Sequence, residues 1–290
     1  MQIVIHAGAH ATDEDRLINC LSDNAAMLAR QGTCVPRPDD YRVMLRDTIN
    51  AATQDGATPG MRDAIIEAVA PDAGTTRLVL SNDSFFGTHK MAVKRMFYPA
   101  ACARLEALRQ IFANDRIELF FAVRNPATFM PALLEQTNFN SIEDIFRGYD
   151  PLSFRWSEFF ERIRLQVPEI AMTAWCNEDT PLIWAEVVRE MAGLDPVAPF
   201  EGEYALLSEI MTETGMKRFC SYIDGHPGMS EVQKRRVISA FLDKFAREDA
   251  VEEEYDLDGW TVDMINQLTD IYEEDVFAIG RIAGVNLITP

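Results

Sequence analysis

Basic residues are scarce in this 290-residue sequence: 27 lysines and arginines stand against 46 aspartates and glutamates, a formal net charge of -19. Binding to nucleic acid or to an anionic membrane surface depends on cationic side chains that neutralise negative charge. We therefore expect neither nucleic acid nor a membrane as a partner. The same shortage of cations disfavours polyanionic ligands.

Long apolar runs and paired cysteines are also lacking. The longest apolar runs, such as residues 117–123, are far too short for a transmembrane helix. The first five residues have neither the basic nor the apolar region of a signal peptide. The odd number of cysteines and the absence of a CxxC motif predict unpaired thiols in a reducing cytoplasm. These cysteines are Cys20, Cys34, Cys102, Cys176 and Cys220.

Short apolar runs alternate with amphipathic stretches over the first 200 residues. Hydrophobic residues make up 48% of the whole chain, which is enough for a buried core. The alternation predicts an α/β core with a parallel sheet between two layers of helices. Ligands of such sheets bind beyond the carboxyl ends of the strands. The predicted strands contain residues 3–5, 78–80, 117–123 and 170–175. The predicted helices are 17–30, 41–52, 61–69, 91–112 with a break near Pro99, 126–137 and 180–191.

A different pattern begins near residue 204. Three helical stretches, 204–223, 230–248 and 261–282, predict that residues 201–290 form a helical region packed on the core. Such a region is compatible with a homodimer. Residues 243–275 contain 13 acidic and 2 basic residues, which is -11 of the total charge. The acidic run 248–258 within them predicts a solvated segment.

The first strand ends in His6-Ala7-Gly8-Ala9-His10-Ala11-Thr12, followed by Asp13-Glu14-Asp15-Arg16. A strand, a glycine turn and a helix start are typical of phosphate-binding loops, which present backbone amides to the anion. A complete P-loop adds a lysine and a hydroxyl residue, whereas this loop has Ala11 and then acids. Thr12 and Asp15, three residues apart, also form a near capping box.

The third strand ends in Val123-Arg124-Asn125-Pro126. An arginine that leaves a strand at its carboxyl end can hold a phosphate in fork geometry. In so acidic a chain, Arg124 can instead pair with a carboxylate. The second strand ends in Ser81-Asn82-Asp83, where Asp83 is a candidate general base or a cap of the following turn.

These strand ends resemble the P-loop sulfotransferases. The first segment is similar to their motif H-x-G-x-x-K-T-G-T-T, and the segment 123–126 to their second motif. Weaker similarities lie at 80–83, at the W-x-x-E-D segment 175–179 and at 272–285. The resemblance implies a P-loop NTPase-like sheet and transfer of a sulfuryl group from 3'-phosphoadenosine 5'-phosphosulfate (PAPS) to a hydroxyl or amine. It implies that Gly8 and Thr12 hold the 5'-phosphosulfate and that Arg124 holds the 3'-phosphate of PAPS or its product, PAP. His10 or Asp83 would deprotonate the acceptor.

The loop departs from the family pattern in ways that weaken anion binding. Ala11 replaces the lysine, Asp13 and Glu14 bring negative charge, and Ala132 stands at the position of a family serine. One carboxylate about 5 Å from a phosphate costs about 3 kcal/mol at an effective dielectric near 20. We therefore expect impaired or lost PAPS binding.

Two alternatives use the same fold. The first is a non-catalytic protein that binds a partner, a small molecule or a carbohydrate on this face. The second is a metal-assisted hydrolase or transferase that uses His6, His10 and His89 with Asp13 or Asp83. Since these residues form no compact ligand motif, we expect no bound metal.

Overall fold

The computed structural model of the chain describes residues 1–69, 71–251, 255 and 257–290. Within these residues, six strands form one open sheet. The strands are β1 (Gln2–His6), β2 (Thr33–Cys34), β3 (Arg77–Ser81), β4 (Arg116–Val123), β5 (Ala171–Cys176) and β6 (Val285–Ile288). Their order is β2-β3-β1-β4-β5-β6, and every neighbouring pair is parallel. The predicted parallel α/β sheet is therefore confirmed.

Helices connect the strands and form most of the last third of the chain. In the first half they are α1 (Arg16–Asp23), α2 (Ala25–Arg30), α3 (Pro38–Asp55), α4 (Met61–Val69), α5 (His89–Ala92), α6 (Ala101–Ile111) and α7 (Pro126–Glu135). They continue with α8 (Glu143–Phe146), α9 (Trp156–Gln166), α10 (Thr180–Ala192), α11 (Ala205–Ile210) and α12 (Glu213–Asp224). The last are α13 (Glu231–Phe245), α14 (Glu248–Val251) and α15 (Val262–Ile279).

The two faces of the sheet belong to different apolar clusters. In β1, Ile3 and Ile5 pack in one cluster and Val4 in the other, because side chains alternate along a strand. The first cluster includes side chains of α3, α6, α7, α9 and α15, and the second those of α1, α2 and α10. Helices thus cover both faces, as the alternating pattern predicts.

The connections diverge around β1, and this places the candidate site. After β1 the chain enters α1 on the second cluster, whereas after β3 and β4 it enters helices of the first cluster. Strands β2 and β3 lie on one side of β1, and β4, β5 and β6 lie on the other. Such a divergence opens a crevice at the carboxyl ends of the strands. The segments that follow β1 and β3 border this crevice.

Two predicted helices are interrupted by contacts with distant segments. The helix predicted for residues 17–30 breaks at Asn24, whose side chain donates to Glu201 O and accepts from Glu201 N. The stretch predicted for 204–223 breaks between α11 and α12, where Met211 forms a β-bridge with Ala246. Local periodicity contains no information about such partners.

The C-terminal region contributes to the sheet as well as to the helical layers. The strand β6, which the sequence pattern does not predict, pairs with β5, and α15 packs on α7 and α9. In the acidic run 248–258, Glu248 and Asp249 are exposed as predicted, whereas residues 252–254 and 256 lie outside the described residues. The five cysteines are free thiols, as predicted. No helix in the described part of the chain is long and apolar enough to cross a membrane.

Candidate functional site

A crevice of about 270 Å³ lies at the carboxyl ends of β1 and β3. Gly8 and Ser81 form part of its wall, and its charged lining residues are Asp13, Glu14, Asp15, Asp83 and Arg42. Four carboxylates therefore face one guanidinium. A second crevice of about 220 Å³ contains Thr12 and Arg124 and shares Asp13 and Glu14 with the first.

The loop after β1 continues to pair with β4. The amide of Ala7 donates to Phe120 O, and that of Ala9 donates to Ala122 O at 2.8 Å. Between them, Gly8 has a φ of +102°, and a Cβ there would lie 3.1 Å from the amide nitrogen of His10. Glycine is required by this turn. The amides of Ala7 and Ala9 thus serve the sheet, although the P-loop pattern predicts loop amides that converge on an anion.

The near capping box that the sequence predicts for Thr12 and Asp15 does not form at the start of α1, so that prediction is wrong. The hydroxyl of Thr12 donates to Ala9 O at 2.7 Å, so it closes the loop. Asp13 takes the capping role, since its Oδ1 accepts from the amide of Leu17 at 2.9 Å. Asp15 directs its carboxylate elsewhere and makes no cap bond to the helix.

Asp15 forms a two-pronged ion pair with Arg42. The guanidinium donates from Nη1 to Oδ2 at 2.9 Å and from Nη2 to Oδ1 at 2.5 Å. Its Nε donates to Ser81 O at 2.9 Å, which fixes the arginine to the end of β3. The hydrogen bonds from Arg42 hold the pKa of Asp15 below its ordinary value. The charge of Arg42 is thus already matched by a carboxylate.

Burial shifts two other ionisable groups beside the crevice. It raises the pKa of Asp13 from 3.8 to about 7, against smaller opposing effects of the Leu17 amide and Arg16. It lowers the pKa of His6 to about 4. His6 Nδ1 lies 2.9 Å from Ser81 Oγ, and its buried Nε2 has no hydrogen-bond partner among the described residues. At neutral pH the crevice thus contains a neutral imidazole and a partly ionised Asp13.

Arg124 lies at the end of β4 and is only 5% exposed. Its guanidinium donates to Ala11 O, to Thr128 Oγ1 at 3.1 Å and to the hydroxyl of Tyr255 at 3.3 Å. It thereby ties the loop after β1 to α7. The role of Arg124 in holding a nucleotide phosphate stays a prediction.

The two candidate bases lie in different surroundings. His10 is fully buried, with its amide and its Nδ1 at 2.9 and 2.7 Å from the hydroxyl of Tyr98. Asp83 is exposed at the crevice and accepts from the hydroxyl of Ser84. The turn after β3 is capped by Asn82, whose Oδ1 accepts from the Ser84 amide at 2.9 Å, so the capping role considered for Asp83 is wrong.

Two acids in the quoted similarity segments join elements together. Glu178 accepts from the amide of Asn125 at 2.7 Å and from the hydroxyl of Tyr272 at 2.9 Å. It thus connects the ends of β4 and β5 to α15. Asp275, also on α15, accepts from the amides of Trp156 and Ser157 at the start of α9. Neither acid lines the first crevice.

No protein-family profile matches the chain, and no curated protein is significantly similar to it. The resemblance to P-loop sulfotransferases therefore rests on the segments quoted above.

Proposed function

We propose that this chain is a sulfotransferase-like protein that binds a small cationic ligand, such as a primary amine, in the crevice beside β1 and β3. We also propose that it does not bind PAPS productively. The observation that carries the proposal is the charge of the crevice, where Asp13, Glu14, Asp15 and Asp83 face a single arginine that Asp15 already pairs. The amine class follows from the acceptors that the family resemblance implies.

Electrostatics supports a cation in this crevice. A positive charge about 5 Å from one unpaired carboxylate gains about 3 kcal/mol at an effective dielectric near 20, and a phosphate there loses as much. Asp83 supplies such a carboxylate and Asp13 supplies one when it is ionised, whereas Glu14 is paired with Arg16 at 3.1 Å. The imidazole of His6 adds no positive charge, since its pKa of about 4 keeps it neutral at pH 7.

The size and hydrogen bonds of the crevice also argue against a nucleotide. Its volume of about 270 Å³ is below the roughly 300–1,000 Å³ of pockets that hold larger organic ligands. The amides of Ala7 and Ala9 are already bonded to β4. A short amine needs neither a large volume nor converging amides.

Sulfuryl transfer to such an amine stays a prediction. Of the two candidate bases, Asp83 lines the crevice and so can reach a bound ligand, whereas His10 is fully buried. A carbohydrate ligand and a homodimer likewise stay predictions.

A calorimetric titration with spermidine, in salt of about 150 mM to screen long-range attraction, tests the proposal. We expect one saturable site. The double variant Asp13→Asn/Glu14→Gln should bind at least about tenfold more weakly, because two nearby carboxylates are neutralised.

The matched control is Glu248→Gln/Asp249→Asn, which removes the same number of carboxyl groups from exposed positions on α14. It should bind spermidine as the wild type does. Equal weakening by both double variants would show a non-specific effect of net charge and would overturn the proposal.

A further inference from the structure

Two imidazoles and one carboxylate meet beside the crevice although they belong to three separate segments. His10 follows β1, Asp83 follows β3 and His89 begins α5. One ligand atom of each lies within 4.8 Å of those of the other two. The ring centroids of the two histidines are 4.2 Å apart. A single ion with bonds of about 2 Å can be bound only by ligand atoms that lie within a few ångströms of one another, as these do.

The ring of His10 is held in one orientation. Its Nδ1 lies 2.7 Å from the hydroxyl of Tyr98, which is itself fully buried. With Nδ1 engaged, Nε2 is the nitrogen left for an ion. This buried atom has no hydrogen-bond partner within the part of the chain that the structure describes. Metal-bound histidines usually have their second ring nitrogen fixed by such an outer partner.

We propose that His10, Asp83 and His89 bind one divalent transition-metal ion of the zinc type. Two imidazole nitrogens favour Zn²⁺ or Co²⁺ over Mg²⁺ and Ca²⁺, which prefer oxygen ligands. Three protein ligands leave at least one coordination position open. Asp83 also lines the crevice, so the ion lies at its edge.

This site and the proposed amine site share Asp83 and otherwise consist of different residues. His10 and His89 do not line the crevice, and Asp13 and Glu14 do not belong to the histidine cluster. Either proposal can therefore fail while the other holds.

Calorimetric titration of chelator-treated protein with Zn²⁺ tests the metal site. We expect one ion per chain with a dissociation constant in the micromolar range or below. Visible absorption after addition of Co²⁺ should show a low-symmetry site with nitrogen ligands. His89→Ala should weaken Zn²⁺ binding at least tenfold and leave spermidine binding unchanged. Tyr98→Phe should weaken Zn²⁺ binding about tenfold, since it removes the hydroxyl that hydrogen-bonds Nδ1 and orients the His10 ring.

The matched control is His226→Ala, which removes a histidine from an exposed position outside the cluster. It should bind Zn²⁺ as the wild type does. Far-UV circular dichroism establishes that each variant is folded. The proposal is overturned if folded wild-type protein binds no stoichiometric Zn²⁺ at millimolar concentration. It is also overturned if folded His89→Ala and Asp83→Asn both bind it with wild-type affinity.

Discussion

Asp13 has both a structural position in the fold and a place in the proposed ligand site. It caps α1, lines both crevices and has a pKa raised by burial to about 7. Its neighbour Asp15 is held ionised by Arg42. The sequence predicts acids at this strand end. It does not predict that the pKa of Asp13 is raised and that of Asp15 lowered, because the burial of Asp13 and the pairing of Asp15 with Arg42 of α3 depend on tertiary packing.

Binding of an amine near Asp13 should release a proton. A bound cation favours the carboxylate over the carboxyl group and so lowers the pKa of Asp13. We expect spermidine binding at pH 6.5 to release a fraction of a proton, and binding at pH 8.5 to release none from this residue. Calorimetry in two buffers of different ionisation enthalpy measures the release. Its persistence in Asp13→Asn would contradict this assignment.

The same residue should make stability depend on pH. Because the folded-state pKa of about 7 exceeds the ordinary 3.8, the folded protein binds more protons than the unfolded chain between these values. Wild-type stability should therefore fall, relative to Asp13→Asn, as pH rises from about 4 to about 7. We expect about 2 kcal/mol, roughly half of what three pH units give, since Asp13 faces a crevice.

Urea unfolding of both proteins at pH 5 and pH 8 measures this difference. A free-energy difference between wild type and variant that is the same at both pH values would refute the raised pKa.

Individual helices differ in how far their own sequence determines their ends. Helix α13 begins after Ser230, which forms a capping box with Gln233, and α10 ends at Gly193 with a φ of +70°. Both ends are predictable because the signals are local. Helix α9 begins where Asp275, more than 100 residues away, accepts its first amides. No local pattern can predict that contact.

Loss of the distant cap should destabilise the protein. Asp275→Ala leaves the amides of Trp156 and Ser157 without their acceptor, and a lost cap or buried hydrogen bond costs about 1–3 kcal/mol. Asp270→Ala, at an exposed position of the same helix, is the matched control and should change stability by less than about 0.5 kcal/mol. Chemical unfolding curves measure both. Equal effects of the two variants would contradict the capping role.

At the scale of the whole molecule, the described residues form one six-stranded sheet between helices, and residues 285–288 supply its last strand. Apolar alternation predicts the class of fold and the edge of the sheet on which ligands bind. The sequence offers His10, Asp83 and His89 as candidate ligands, together with His6 and Asp13, but that these three meet depends on β1 and β3 being neighbours. Apolar alternation also cannot predict β6, whose four residues resemble many short apolar stretches.

Residues 1–200 should not fold alone. A chain that ends at residue 200 loses β6 and α15, whose buried Leu268, Tyr272 and Ile279 belong to the same cluster as the sheet. We expect no cooperative thermal transition by circular dichroism. A chain that ends at Ile288 retains β6 and is the control, with a transition close to that of the full chain. A sharp transition of the shorter chain would show an independent domain.

The central claim is that the crevice beside β1 and β3 binds a cation and does not bind PAP, the product nucleotide of the P-loop sulfotransferases that the sequence resembles. Calorimetric titration of the full chain with PAP, with and without Mg²⁺ and beside a spermidine titration, tests this most directly. The expected result is saturable spermidine binding and no PAP binding at millimolar concentration. Micromolar PAP binding that Arg124→Ala abolishes would contradict the claim.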